Sequence, residues 1–520
     1  MHPVKVACIL PNSQSTFRLI NQPDYIKISN LLNIAARLQN IKIDVKIFDF
    51  LSAEGENYNS LMKQILHYNP EAFCICAHFC LEDLEIFLKD FPIGFLKKIF
   101  IICFGTGVID YEKALSQLPM IDCVIPGFPE NVVVDLLRKL KEKNLKLEEE
   151  IGVAFRKKGR IILKKKFSDD LDLALKDTPI HWWVSDKNPE MAYLWGSRGC
   201  WYRKCSFCNI GALSNAYVGN GWTARNIETV IKDIEKLKIL GVSTIHFLDS
   251  EFIGAGKENQ KRVQYFAKEL IERNLQMKFI IDSRIDNIEY ETFRLLKDAG
   301  LSNIAIGIES GSASVLKRLN KGYNLSEACK RIKILRDLRL KFKTNFILAD
   351  PDSNIDEILE SLLWIKEMQL LDTLKPFGVG SVFHPMHLHA GTPLYNQITK
   401  TYKKMKSETA CIYHNETTRY FMEKVEAFNN SLEERFYSFR NLYYREPNLL
   451  SANVSYIKIL GIHGLIKMLT VLKEGVTDEN KIKVDQSINF LLSKYDDTWF
   501  SGRGEIVNGE KAGIIQLSKK

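Results

Sequence analysis

The chain has 520 residues, of which 46% are hydrophobic and 26% charged, with a formal net charge of +9. That length accommodates two to four domains, each with its own core, and the balance is that of a soluble globular protein. No apolar run approaches the ~20 residues of a membrane span, and eleven unevenly spread cysteines lack the rhythm of a disulfide scaffold. Met1-His2-Pro3-Val4-Lys5 starts a strand without a signal-peptide layout, so the expected location is cytoplasmic.

Residues 1–150 alternate short apolar strands, expected at 4–10, 44–49, 72–77, 98–103 and 122–125, with amphipathic helices at 31–38 and 59–67. This alternation predicts an α/β domain with a doubly wound parallel sheet, whose ligands bind beyond the carboxyl ends of the strands. Those ends carry Pro11-Asn12-Ser13, Ala77-His78-Phe79, Gly105-Thr106-Gly107 and Gly127-Phe128-Pro129-Glu130. Glycine after a buried strand lets a ligand approach the backbone closely. Cys74, Cys76 and Cys103 sit inside apolar strands and read as core. Residues 151–190 form a connector with a hairpin turning at Gly159. The basic residues around that turn read as a solvated face; an electrostatic handle for RNA or an acidic peptide is the sharper alternative. Trp182-Trp183 is expected to pack on the next domain.

From 191 to 395 the βα units lengthen. Strands are expected at 192–197, 244–249, 278–282, 303–309, 341–348 and 377–383, and helices at 226–240, 260–273, 292–299, 325–338 and 355–368. Six units suit a partial (β/α)6 TIM-type barrel, whose chemistry gathers at the strand C-termini. There lies Cys200-Trp201-Tyr202-Arg203-Lys204-Cys205-Ser206-Phe207-Cys208, a C-x4-C-x2-C loop. Three soft thiolates on one loop converge on one centre, and the next cysteine in sequence is Cys329. Three sulfurs rather than four point to a [4Fe–4S] cluster with one iron open; a zinc knuckle completed by a distant histidine is the competing reading. Asp249, Glu251, Arg284 and Glu309 fall at the same strand ends.

Ser197-Arg198-Gly199-Cys200 followed by Cys205-Ser206-Phe207-Cys208 resembles the cluster loop of the radical S-adenosylmethionine (SAM) superfamily, with one residue more than usual in the first gap. The resemblance implies that Cys200, Cys205 and Cys208 hold the cluster and that SAM chelates the open iron. Gly307-Ile308-Glu309-Ser310-Gly311-Ser312 looks like the family's strand-end motif, which places Glu309 at the SAM ribose with Ser310 beside it. By the same resemblance Phe207 lies by the adenine, Asp249 and Glu251 match the region receiving the SAM amino group, and Arg284 matches an arginine that points at the SAM pocket. Residues 1–150 resemble the cobalamin-binding domain that precedes many such cores. Gly105, Thr106, Gly107 and Gly127 are then the expected cobalamin contacts. The first loop lacks an Asp-x-His-x-x-Gly pattern, so no lower axial histidine is expected from it. The turn Asp350-Pro351-Asp352 departs from the Gly-x-Pro-Gly of relatives and is given no role.

The implied activity is cleavage of SAM by a reduced cluster to methionine and a 5′-deoxyadenosyl radical. With cobalamin present, the expected reaction is C-methylation of an unactivated carbon in a peptide or natural product. The alternatives are radical cyclisation, epimerisation or rearrangement without methyl transfer, and a non-enzymatic metal-containing binding protein. Expected partners are a small-molecule or peptide substrate and a one-electron reductant such as ferredoxin or flavodoxin, with neither nucleic acid nor membrane. His384, His387 and His389 precede Gly391-Thr392-Pro393, a turn that ends the core in relatives without metal. Residues 396–520 form a mainly helical C-terminal cap, with helices expected at 423–444 and 457–472 and a polar tail from Tyr495.

Overall fold

A computed structural model of the chain describes residues 4–500, except for 13–29, 52, 54, 79, 166–169, 187, 215–220, 276, 375–382, 384–385, 403–407 and 437–460. The N-terminal sheet has strands β1 (Lys5–Leu10), β2 (Asp44–Asp49), β3 (Ala72–Cys76), β4 (Phe100–Phe104), β5 (Cys123–Ile125), β6 (Ala154–Lys157) and β7 (Arg160–Leu163), in the order β2-β1-β3-β4-β5-β6-β7. The first five are parallel. β1, β3 and β4 are almost wholly buried, as strands covered by helices on both faces must be. One face packs Phe73, Ile75 and Phe87, the other Cys8, Cys74, Cys76 and Phe104. The strand cysteines are core residues, and burial pushes the Cys74 and Cys103 thiols well up. The connector hairpin extends this sheet as β6 and β7 through antiparallel pairing. Arg156 is the reason one basic residue there is not simply solvated: its guanidinium donates to the carbonyls of Leu115, Pro119 and Ile121.

The second parallel sheet contains β8 (Met191–Leu194), β11 (Thr244–Phe247), β12 (Lys278–Arg284), β13 (Leu301–Glu309) and β14 (Phe342–Phe346), in the order β14-β13-β12-β11-β8. The strand expected at 192–197 is interrupted: β9 (Ser197–Arg198) turns away to pair antiparallel with β10 (Thr223–Ala224). The strand expected at 377–383 lies outside the described residues except for Phe383, although Leu374 already bridges Thr344 in parallel. Along β13, Ile304, Ile306 and Ile308 are buried while Asn303, Ala305 and Gly307 are half-buried, the alternation of a strand with two different faces. Phe247, Phe252, Phe266 and Phe279 pack together, tilted in the Phe247–Phe252 pair at 4.8 Å and edge-on in the others at 5.8–6.2 Å.

β15 (His387–His389) and β16 (Glu408–Ala410) form a hairpin. Among the described residues three helices follow, Glu416–Phe436, 461–472 and Asp478–Phe500. Phe421, Leu465, Leu469 and Val484 join the same apolar core as the barrel strands, so this region caps the barrel. The polar tail expected from Tyr495 is still helical to Phe500, and the parts of the two expected helices within 437–460 lie outside the described residues. Among the described residues no helix is long and apolar enough to cross a membrane.

Candidate active site

Each residue of Ser197-Arg198-Gly199 has its own task in setting the cysteine loop. Ser197 Oγ donates to Asp249 Oδ2 at 2.7 Å and to the Glu251 carbonyl at 3.0 Å, and Gly196 N donates to Asp249 Oδ1 at 2.8 Å. Arg198 reaches into the N-terminal domain, donating to Glu130 Oε2 at 2.8 Å. Gly199 has φ +82°, and a Cβ there would stand 2.0 Å from the Gly221 carbonyl oxygen, so only glycine fits. Burial lifts the Asp249 carboxyl from 3.8 to about 7, against the opposing pull of Gly196 N–H and the Ser197 hydroxyl. A folded-state value above the unfolded one means that this group's stabilisation is complete below about pH 4 and is lost as pH rises through about 7. Ligand-free protein is therefore expected to lose stability from this site between about pH 4 and pH 7, and Asp249→Asn to flatten that slope. Thermal melts of both proteins across the interval check the result.

None of the eleven cysteines is in a disulfide. Cys205 is buried, and Arg284 Nη1 lies 3.7 Å from its sulfur. Arg284 stacks over Tyr202 at 3.9 Å, is held by Asp286 at 2.8–2.9 Å and donates to the Lys321 carbonyl at 2.6 Å. Burial opposes its charge most strongly, yet Asp286 and the Cys205 and Cys200 sulfurs keep its pKa above the usual value. Burial first, and then Cys205 and Cys200, push the Cys208 thiol up to about 11, while the Gly211 and Ile210 N–H groups favour its thiolate. Arg203 takes φ +44°, which accommodates a longer first gap in a left-handed bend. Among the described residues no three His, Cys, Asp or Glu side chains close on one ion position. Cys205 and Cys200 stand near enough to Cys208 to raise its thiol, and three thiols on one loop are the soft donor set that a [4Fe–4S] cube takes, each sulfur on a different iron.

Glu309 closes β13 at φ +74°, where the register with β14 shifts between Gly307 and Glu309. A Cβ on Gly307 would lie 2.4 Å from Glu309 Oε1, so Gly307 makes the space that the carboxylate fills. Glu309 Oε1 is 3.1 Å from Lys321 Nζ, both side chains being buried. Lys321 Nζ also lies 5.9 Å from the Phe207 ring centre. Glu309, Phe207 and the cysteine loop thus meet around one lysine. Ser310 turns inward, accepting from Ser312 N at 3.0 Å, with Ser361 Oγ at 3.4 Å. Glu251 is fully buried and accepts from Gly254 N at 2.7 Å and Asn287 Nδ2 at 2.8 Å. It fastens its own loop rather than presenting a free carboxylate.

The N-terminal strand ends face this loop. Gly105, at φ +104°, lies so close to β3 that a Cβ would be 2.6 Å from the Ala77 carbonyl oxygen. Thr106 Oγ1 donates to the His78 carbonyl at 2.6 Å, and Gly107 N to that of Ala77 at 2.8 Å. Gly127 is buried after β5, and Glu130 begins the helix Glu130–Lys141. Burial holds the His78 imidazole down to about 4, so it is neutral near pH 7. Ile109 packs with Ala212 and Leu213 of the helix Asn209–Ser214 that follows Cys208, and a Cβ on Gly391 would come within 2.6 Å of Ile109. His387 and His389 enter no three-residue metal group among the described residues; His384 lies outside them.

Residues 196–365 match the radical SAM superfamily. That stretch is a radical SAM domain. An uncharacterised methyltransferase of Pyrococcus horikoshii is 22% identical over 378 residues, covering 71% of this chain and 79% of that one. The 4′-phospho-dehydrooxetanocin synthase of Priestia megaterium is 24% identical over 360 residues, covering 63% and 46%. Among solved structures, the cobalamin-dependent SAM radical enzyme OxsB, with aqua-cobalamin and SAM bound, superimposes with a TM-score of 0.69 at 17% identity, covering 94% of this chain and 75% of that one. The radical SAM methyltransferase TsrM of Kitasatospora setae, with cobalamin and a [4Fe–4S] cluster bound, gives 0.58 at 14% identity, covering 77% and 78%. These likenesses show that the fold of both halves is shared with OxsB over 94% of the chain and with TsrM over 77%. Within the radical SAM core, Lys321 and Tyr202 escaped sequence reasoning. The only signal for Lys321 is a cation just past the helix Ala313–Arg318, too common a feature to single out.

Proposed function

We propose that this radical SAM enzyme holds a [4Fe–4S] cluster on Cys200, Cys205 and Cys208, binds SAM between Phe207 and Glu309, and holds cobalamin against Gly105–Gly107 and Gly127. The reaction proposed is methyl transfer to an unactivated carbon of a small-molecule or peptide substrate, with a one-electron carrier as reductant. One observation carries the reading: the cysteine loop and the N-terminal strand ends are packed on each other, through Arg198 with Glu130 and through Ala212 with Ile109. Groups held at the two places therefore border one interior.

When bound, the cluster supplies the low-potential electron that cleaves SAM, and cobalamin supplies a transferable methyl group. The protein's own residues position and exclude water. Asp249 and Ser197 fix the start of the loop. Arg284 holds positive charge against Cys205 and, wedged among Trp201, Tyr202 and Tyr323, keeps that side dry. Lys321 fixes the Glu309 carboxylate, which is placed to accept hydrogen bonds from a ribose. The helices Glu416–Phe436, 461–472 and Asp478–Phe500 add to the same apolar core. The test is anaerobic incubation of the reconstituted protein with methyl-deuterated SAM, hydroxocobalamin and reductant. Release of 5′-deoxyadenosine is the expected result; none from protein with full iron and sulfide would overturn the reading.

A rearrangement without methyl transfer is the second reading, prompted by a matched relative that is a synthase rather than a methyltransferase by name. Deuterium from the SAM methyl group in the product separates the two: its presence supports methyl transfer, and 5′-deoxyadenosine with an unlabelled, altered substrate supports rearrangement.

A further inference from the structure

Glu130 and Arg198 are 0% and 2% exposed and belong to different domains. Arg198 Nη1 donates to Glu130 Oε2 at 2.8 Å and Nη2 stands 2.7 Å from Oε1, so the planar guanidinium fork faces the carboxylate with one hydrogen bond and a second close ionic contact. The guanidinium is stacked between Phe128, at 5.0 Å, and Trp195, at 4.5 Å. A pair so deeply buried brings little net stability, because desolvation offsets the attraction. Its placement is more telling. Glu130 stands in the first turn of the helix Glu130–Lys141, where backbone N–H groups favour a carboxylate, directly after the β5 end that carries Gly127. Arg198 stands two residues before Cys200. On the other flank of the loop, Ala212, four residues after Cys208, packs on Ile109, which follows Gly105–Gly107. The N-terminal strand ends therefore grip the cysteine loop on both sides.

We propose that Glu130 and Arg198 are positioning residues for the cluster: through them the N-terminal strand ends set where Cys200 stands, and so how SAM meets the open iron. The inference rests on the radical SAM reading but not on cobalamin binding. Glu130→Gln keeps the shape of the carboxylate and removes its charge, while Arg198→Lys keeps the charge and loses both the fork and the stacking. Each variant is reconstituted anaerobically, its iron and sulfide are counted, and SAM is titrated into the reduced protein while the cluster is followed by electron paramagnetic resonance. The expected result is near wild-type iron and sulfide with the midpoint of the SAM-induced spectral change raised about tenfold, within the range for coupled sites. Asn33→Ala removes a neighbour 3.5 Å from the same carboxylate that does not touch the loop, and is expected to leave the midpoint unchanged. A wild-type midpoint in both Glu130→Gln and Arg198→Lys overturns the proposal, whatever happens to their melting temperatures. Failure of the wild-type protein itself to take up iron and sulfide overturns the radical SAM reading, and this proposal falls with it.

Discussion

Cys205→Ala is expected to abolish SAM cleavage, lowering 5′-deoxyadenosine release by more than about a hundredfold, and to leave the protein folded. Two thiols remain on the loop, too few to anchor a cube that is already one protein ligand short. The fold should survive because the substitution removes one small buried sulfur, a change of the ordinary size of about 1 kcal/mol. Arg284 keeps Asp286, Tyr202 and the Lys321 carbonyl as partners, so no charge is stranded. The checks are iron and sulfide counts, circular dichroism and product release from the same preparation. Cys329→Ala is the control. Its sulfur lies 3.6 Å from that of Met368, far along the chain from the loop, and its loss should change neither metal content nor product. Iron content and turnover at wild-type level in Cys205→Ala would end the cluster assignment.

What the sequence carried plainly was the position of groups along strands. Asp249, Arg284 and Glu309 were found because a parallel barrel presents its chemistry at strand C-termini, and apolar alternation locates those termini to within a residue or two. What it did not carry was the direction of a hydrogen bond. Asp249 and Glu251 both lie where SAM recognition was expected, yet Asp249 holds Gly196 and Ser197 while Glu251 holds Gly254 and Asn287. Periodicity assigns a side chain to a face; which backbone N–H it meets depends on loops that have no period. Long-range pairing was invisible for a related reason. Arg198 stood in the recognised loop, but its partner Glu130 is 68 residues upstream. The hairpin at 154–163 looked self-contained because nothing local shows that β6 will pair with β5. The helix Asp478–Phe500 is absent from the sequence reading, which starts a polar tail at Tyr495, because its apolar residues are diluted by Lys, Asp and Asn.

Lys321→Met is expected to destabilise the protein by about 3–5 kcal/mol, the cost of stranding a buried charge, and to weaken SAM binding as well. The two effects share one cause. Lys321 Nζ holds Glu309 Oε1 at 3.1 Å, while the Glu309 backbone, at φ +74°, sits in a region that non-glycine residues enter at a cost. Burial is the largest influence on Lys321 and disfavours its charge, yet Glu309 keeps its pKa above the usual value. Without the ammonium the carboxylate must either take up a proton or swing out of the space that Gly307 leaves for it, and in either case its alignment with a ribose is lost. Adding Glu309→Gln to Lys321→Met removes the stranded charge, so the double variant should recover part of the lost stability without recovering SAM affinity. The coupling in such a cycle is expected at about 0.5–3 kcal/mol. Gly307→Ala disturbs the same pair from the other side, since its Cβ would press on Glu309 Oε1 with both charges intact, and it too should weaken SAM binding. Thermal melts and SAM titrations of the wild type, Lys321→Met, Glu309→Gln, the double variant and Gly307→Ala decide the matter. Additive losses in the double variant, or SAM affinity untouched in Lys321→Met, would show that the lysine supports the fold alone and that Glu309 is not the group that meets the nucleoside.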